Sequence, residues 1–466
     1  MAKLWEKGYS LDALIERFTV GSDYILDRRL VAADAVASIA HARMLESIGV
    51  LSGDERTTLE HELGLIALEA VEEGCAIRRD QEDSHTWIEE RLVERLGEAG
   101  KRVHTGRSRN DQVLASTRLF AREGIIAIER SLASAIDALH QLATDHERTP
   151  MPGRTHMQPA MPSTVGLWAA SYAEALLDAD SMLTTAYDLL NRSPLGAAAS
   201  YGVPLPVDRE LVARLLGFAE VHHNVLWAVS SRGQTELALL EALDAIGLVL
   251  GRLAADLIVF TLPEFGYFTL PAELCSGSSI MPQKRNPDGL ELLRGKAGTL
   301  SADADRVRNV VRSLPSAYNR DVQETKEPLL RSVDLALDML DVVSLTVSRL
   351  EVHPERLRAA FTPELFATDV ALERVTAGES FRDAYRSVAS DLASIDPSSF
   401  DIDEVIGRRT STGSPGNPDL DYVRRRRDEL RERWSREGDR VSAAVAELAG
   451  APIALYPGIP VDEHAR

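Results

Sequence analysis

Residues 110–150 read NDQVLASTRLFAREGIIAIERSLASAIDALHQLATDHERTP, and their spacing decides the architecture. Val113, Thr117, Phe120, Ile125, Ile128, Leu132, Ile136, Leu139 and Leu142 recur at three- to five-residue steps, the period of one helix face. The run ends at Pro150-Met151-Pro152-Gly153, which predicts a single helix of about nine turns. Comparable Ala/Leu-rich patterns cover residues 163–191, 230–261, 288–314 and 325–350, each bounded by Pro, Gly, Ser or Asn. Five long helices with connections between them imply an all-α bundle. Their apolar faces are wide, so part of the bundle surface is expected to meet other subunits of a homo-oligomer.

Working outward, shorter helices are expected at 27–48, 54–73 and 84–96, forming a separate layer. Beyond Glu351 the segments shorten, and residues 410–418, TSTGSPGNP, interrupt the chain before a charged helix. The expected domains are 1–108, 109–361 and 362–466. Arg424 to Arg427 are followed at once by Asp428, Glu429, Glu432 and Glu437, the alternating charge of a solvated helix.

The chain of 466 residues carries 52 Lys and Arg against 72 Asp and Glu, a net charge of −20, so nucleic acid is a poor default partner. With 44% hydrophobic and 27% charged residues, disorder is excluded as well. Cys75 and Cys275 offer no disulfide framework, which fits a reducing compartment. The opening MAKLWEKGYS lacks the apolar core of a signal peptide. The most apolar stretch, 237–262, is interrupted by Glu241, Asp244, Arg252 and Asp256, so no membrane span and a cytoplasmic location are expected. Phosphate-loop, dinucleotide, HExxH, EF-hand and GxSxG signatures are missing, which removes the commonest nucleotide, metal and hydrolase readings, and His222-His223 has no ligand at metal spacing, so no metal is expected there.

Four polar segments at helix junctions remain. His104-Thr105-Gly106-Arg107-Ser108-Arg109-Asn110-Asp111-Gln112 precedes the first long helix; a cap needs one residue, and the surplus of Arg and amide groups fits an anion site. Residues 152–162, PGRTHMQPAMP, form a rigid turn carrying His156, which is either a proton-transfer group or simply solvated. Residues 273–289, ELCSGSSIMPQKRNPDG, read as an irregular loop whose hydroxyls, amides and two cations suit an anion-closing lid better than a plain connector. Residues 317–326, AYNRDVQETK, form the fourth junction. Together they suggest one composite pocket for a polyanionic or zwitterionic ligand.

At these residues the chain resembles the fumarase/aspartase superfamily, most closely its argininosuccinate lyase branch. Residues 277–287, GSSIMPQKRNP, are similar to the signature GSSxMPxKxNP, and TGRSRND at 105–111, THMQ at 155–158 and YNRDVQE at 318–324 follow in the expected order. The resemblance covers essentially the whole chain. It implies a three-domain helical subunit, a central bundle forming a 20-helix core in a homotetramer, and active sites shared between subunits. The implied activity is that of a carbon–nitrogen lyase of the amidine-lyase class. It cleaves argininosuccinate reversibly to L-arginine and fumarate, in arginine biosynthesis or the urea cycle, without a cofactor.

That reaction removes a weakly acidic C–H proton beside a carboxylate and expels a guanidinium nitrogen from the neighbouring carbon. By resemblance Ser278 is the base, and His156, oriented by Glu291, assists protonation of the leaving nitrogen. Lys284 and Asn286 would stabilise the anion that builds on the carboxylate. Substrate binding carries over to Ser22, Asn110, Thr155, Asn286, Tyr318, Gln323 and Lys326, with Arg109 and Arg232 as carboxylate contacts. The segment around Ser22, residues 18–27, is longer than the commoner family form, and Gly233, Thr325 and Tyr385 depart from common forms. The alternatives are a C–N lyase releasing fumarate from another N-substituted aspartate, and a non-catalytic crystallin-like role. Against the latter stand Ser278, Lys284, Asn286 and His156, all present.

Overall fold

Capping residues start two helices where local sequence demands it. Ser52 accepts a hydrogen bond from the Glu55 N–H while Glu55 accepts from the Ser52 N–H, and Ser108 and Asp111 repeat the exchange. The computed structural model describes residues 12–456, so the opening MAKLWEKGYS, expected to carry no signal peptide, lies outside the described residues. An N-terminal layer contains α1 (Val31–Ser47), α2 (Gly53–Glu72) and α3 (Ser84–Leu96). The bundle follows as α4 (Arg109–Asp145), α5 (Val165–Leu190), α6 (Gln234–Phe260), α7 (Asp288–Val311) and α8 (Lys326–Ser348). These five match the expected helices to within four residues at either end.

In the bundle, α4 packs on α5 and α8, α6 packs on α5, α7 and α8, and α7 packs on α8. The predicted seam of α4 is buried: Phe120, Ile125, Ile128, Leu132, Ile136 and Leu139 are wholly inaccessible. One continuous apolar core runs from α1 through this bundle. Among the described residues no helix is long and apolar enough to cross a membrane.

Two expectations change. Residues 152–162, expected as a rigid turn, lie within an antiparallel hairpin of β1 (Pro150–Thr155) and β2 (Gln158–Thr164). Pro150, Pro152, Pro159 and Pro162 rule out a helix there, and the strands flank a two-residue turn, His156-Met157. The charged helix near the C-terminus, α9 (Leu420–Ala449), is docked rather than solvated. Beneath its charge lie Val423, Leu430, Trp434, Val441 and Val445 at helical spacing, all buried against the main core. Arg426 and Arg427 pair with Asp178 and Asp137 on the neighbouring helices. Residues 361–405 hold a smaller apolar cluster of their own around Leu365, Phe366 and Ala384, and its helices pack against the hairpin.

Candidate functional site

Where the N-terminal layer meets the N-terminal ends of α4 and α8, a cleft of about 410 Å³ opens. Arg109, Asn110, Arg232, Tyr318, Gln323 and Lys326, all expected in the site, line it together. Ser22 does not: it is exposed at the start of the short turn Asp23–Leu26, and Asp23 faces the cleft instead.

Several expected ligand contacts are occupied by the chain itself. Arg109 pairs with Glu82 at 3.0 Å and Asp83 at 3.2 Å and donates to the Thr86 hydroxyl at 2.7 Å. Gln323 donates to the carbonyls of Thr19 and Val20, tying down the turn above the cleft. The buried Lys326 ammonium lies 2.5 Å from Asp27 and 3.2 Å from Asp23. Burial alone would lower its pKa, but these carboxylates outweigh burial and hold it above the ordinary lysine value. Burial raises the Asp23 pKa, with Lys326 opposing. Asp83 is half-buried, and desolvation alone would raise its pKa, yet the charges of His85 and Arg109 and the hydrogen bonds from Thr86 bring it below the usual carboxyl value. The side chains of Asn110, Tyr318 and Arg232 make no hydrogen bond within the described residues, and Asn110 and Arg232 are half-buried and buried respectively.

Within this chain the remaining expected residues lie away from that cleft. His156 lines a separate cavity of about 420 Å³, floored by Trp168, Asp256 and Phe260. Thr155, His156 and Met157 are exposed at the hairpin tip. Both turn residues take positive φ, 53° and 65°, as a two-residue type I′ turn requires, at a cost of about 1–2 kcal/mol each for non-glycine residues. Arg154 secures the turn: it donates to the Met157 carbonyl at 3.1 Å and lies over the Phe265 ring at 4.9 Å. No hydrogen bond joins His156 to Glu291 in this chain, and Glu291 is exposed in the first turn of α7.

The Ser278 loop is closed at its neck by paired backbone hydrogen bonds between Ser276 and Asn286, 3.0 and 2.8 Å. Asn286 also donates to the Gly277 carbonyl, so here it braces the loop. The Ser278 hydroxyl oxygen accepts from the N–H groups of Ile280 at 3.4 Å and Met281 at 3.2 Å. Lys284 is exposed on the same loop.

The sequence reading passed over Asp23, Asp27, Glu82 and Asp83. Their signal was present: an i,i+4 acidic pair on one turn, and a Glu-Asp pair just before α3. What was missing was the knowledge that they face cations from elsewhere in the chain. The histidine pair set aside as a metal site is structural at His222. His222 accepts from the deeply buried Arg118 at 3.1 Å, and burial with nearby arginines lowers its pKa to about 3. Asp111 accepts from the Gly196 and Ala198 N–H groups and pins the start of α4.

The similarity of this chain to known proteins extends over most of its length. A sequence profile of the lyase family matches residues 7–301. The argininosuccinate lyase of Sorangium cellulosum (strain So ce56) is 45% identical over 426 residues, covering 91% of this chain and 98% of that protein. That of Thermotoga neapolitana is 42% identical over 395 residues, covering 83% and 97%. Among solved structures, EDDS lyase in complex with formate superposes with a TM-score of 0.79 at 23% identity, covering 95% of each chain. A class II fumarase from Schistosoma mansoni gives 0.71 at 17%, covering 89% and 94%. These structures share the fold, and with profile and relatives agreeing along most of its length, the chain belongs to the lyase family, on its argininosuccinate lyase branch.

Proposed function

We propose that this lyase cleaves argininosuccinate reversibly to L-arginine and fumarate by β-elimination, with Ser278 as the base. The observation that carries the mechanism is the environment of the Ser278 oxygen, which accepts two backbone N–H groups in a loop that also bears Lys284. A serine hydroxyl is a poor base in water. Donors aimed at its oxygen stabilise the alkoxide, and a site that closes around substrate strengthens them. Lys284 and Asn286 then face the carboxylate on which charge builds. His156 assists protonation of the leaving nitrogen, with Glu291 orienting it.

The reading includes a homotetramer of subunits divided at 108/109 and 361/362. Leu248, Leu292, Val342 and Leu345 are exposed apolar residues on α6, α7 and α8, as subunit-facing bundle helices require. The hairpin and the Ser278 loop lie outside the cleft of their own chain, which fits a site assembled from several subunits.

A second reading, cleavage of another N-substituted aspartate, has one observation in its favour. A Cβ on Gly233 would come within 3.1 Å of the Thr325 methyl, so two departures from the common form touch each other beside Arg232 and Lys326. Ultraviolet detection of fumarate from argininosuccinate tests the first reading. Wild type is expected to release it and Ser278→Ala to be slower by about 10²–10⁴. Undiminished turnover in that variant would refute the base assignment, and addition of a panel of amines to fumarate separates the two substrates.

A further inference from the structure

Arg232 stands at the boundary of two spaces. It lines the cleft and also an adjoining cavity of about 640 Å³ with Trp227, Gln234 and Ala317. It is only 8% exposed, and its side chain makes no hydrogen bond or ion pair within the described residues. No side-chain partner therefore fixes which space the guanidinium enters. Its direction is set by the main chain that carries it.

That main chain is gripped on both sides by groups shielded from solvent. Before residue 232, the Ser231 hydroxyl accepts from Arg118 of α4 at 2.9 Å and donates to the Ala228 carbonyl at 2.9 Å. After it, the Gly233 N–H donates to the Glu236 carboxylate of α6 at 2.6 Å, and the Thr235 hydroxyl donates to the same oxygen at 2.9 Å. A third tie comes from Ser230, whose hydroxyl accepts from the Ala317 N–H at 2.9 Å, next to Tyr318 of the cleft. Arg118, Ser231 and Glu236 are each no more than 2% exposed.

A stable core needs neither buried charge. A solvated side chain caps a helix equally well, and an apolar side chain in place of Arg118 would fill the interior without the cost of stripping a guanidinium of water. Arg118 otherwise donates to the Arg192 carbonyl and to His222, both neutral acceptors, and makes no ion pair within the described residues. Burial lowers its pKa to about 10, with the Glu236 charge opposing, so it is still a cation at neutral pH. What the two charges share is that each holds a residue adjoining 232. We propose that Arg118 and Glu236 are positioning residues: acting through Ser231 and Gly233, they fix the main chain of residue 232 so that its guanidinium points into the cleft. Their role rests on the reading of Arg232 as a carboxylate contact of this lyase; what they add is the direction of that contact.

Fumarate release by Ser231→Ala, Arg232→Ala and the double variant tests this, with urea midpoints to establish that each is folded. Ser231→Ala is expected to raise KM for argininosuccinate about tenfold with kcat within about twofold, as when binding shared by ground and transition states is lost. In the Arg232→Ala background the same change should add less than about twofold, because the group it directs is gone. Glu236→Ala should match Ser231→Ala, and Glu236→Gln, which keeps an acceptor for the Gly233 N–H, should bring KM back to within about threefold of wild type. Independent, multiplying effects of Ser231→Ala and Arg232→Ala would overturn the proposal. So would a fall in kcat with KM unchanged, which marks only loss of folded enzyme. A crystal structure of Ser231→Ala reads the direction without turnover: the Arg232 guanidinium is expected to move by at least about 1 Å, the scale on which positioning fails, and an unmoved guanidinium would overturn the proposal as well. Absence of fumarate release by wild type counts against the lyase reading alone, because the crystal structure still judges what Arg118 and Ser231 hold.

Discussion

Gly233 shows how much a single position can carry. Its φ is +85°, and a Cβ there would lie 2.3 Å from Val311 Cγ1, so glycine is required by both backbone and space. Gly233→Ala is expected to destabilise the fold by about 2–4 kcal/mol, combining left-handed strain with overpacking. Urea midpoints measure it, and the double variant with Val311→Ala should recover the steric part but not the backbone part. In sequence the glycine was visible only as a departure from a common form. That it answers to Thr325 and Val311 follows from packing, since 92 and 78 positions separate them from it.

The hairpin β1–β2 is the element on which proton delivery to the leaving group would depend. Its turn spends conformational energy to present His156, so Met157→Gly, which removes the left-handed penalty at one residue, should stabilise the protein by about 1 kcal/mol. Arg154 pulls the other way by holding the Met157 carbonyl. Arg154→Ala is expected to lower kcat about tenfold with KM within about twofold, and Arg154→Lys, which keeps one donor, to recover part of it. A matched rise in KM would instead mean that Arg154 binds substrate. The prolines announced that this segment was not helical, but strand pairing could not be read from them. A proline-rich turn and a proline-rich hairpin look alike until the two arms are seen to meet.

Across the molecule, α9 is fastened by buried polar contacts that make stability depend on pH. Trp434 donates to Asp180 at 3.1 Å, and the neighbouring Glu129 is buried with its carboxyl group facing that carboxylate. Burial, then the Asp180 charge, raises the Glu129 pKa well above 4.5, so the folded state keeps a proton that the unfolded chain releases. Stability contributed by that proton is full below about pH 4.5 and is lost as pH rises through the folded value. Glu129→Gln should therefore be more stable than wild type near pH 8 and show a flatter slope between about pH 5 and 8 in urea midpoints. Parallel slopes would show that the carboxyl is already ionised in the fold. The five long helices, the cap of the first of them and the loop motifs were legible in the sequence, because helix periodicity and capping are settled within a few turns of chain. The charge partners were not. Asp27 and Lys326 stand 299 positions apart, and Arg426 meets Asp178 across 248. A carboxylate's role depends on which distant cation shares its desolvated space, a fact created by packing and carried by no local pattern.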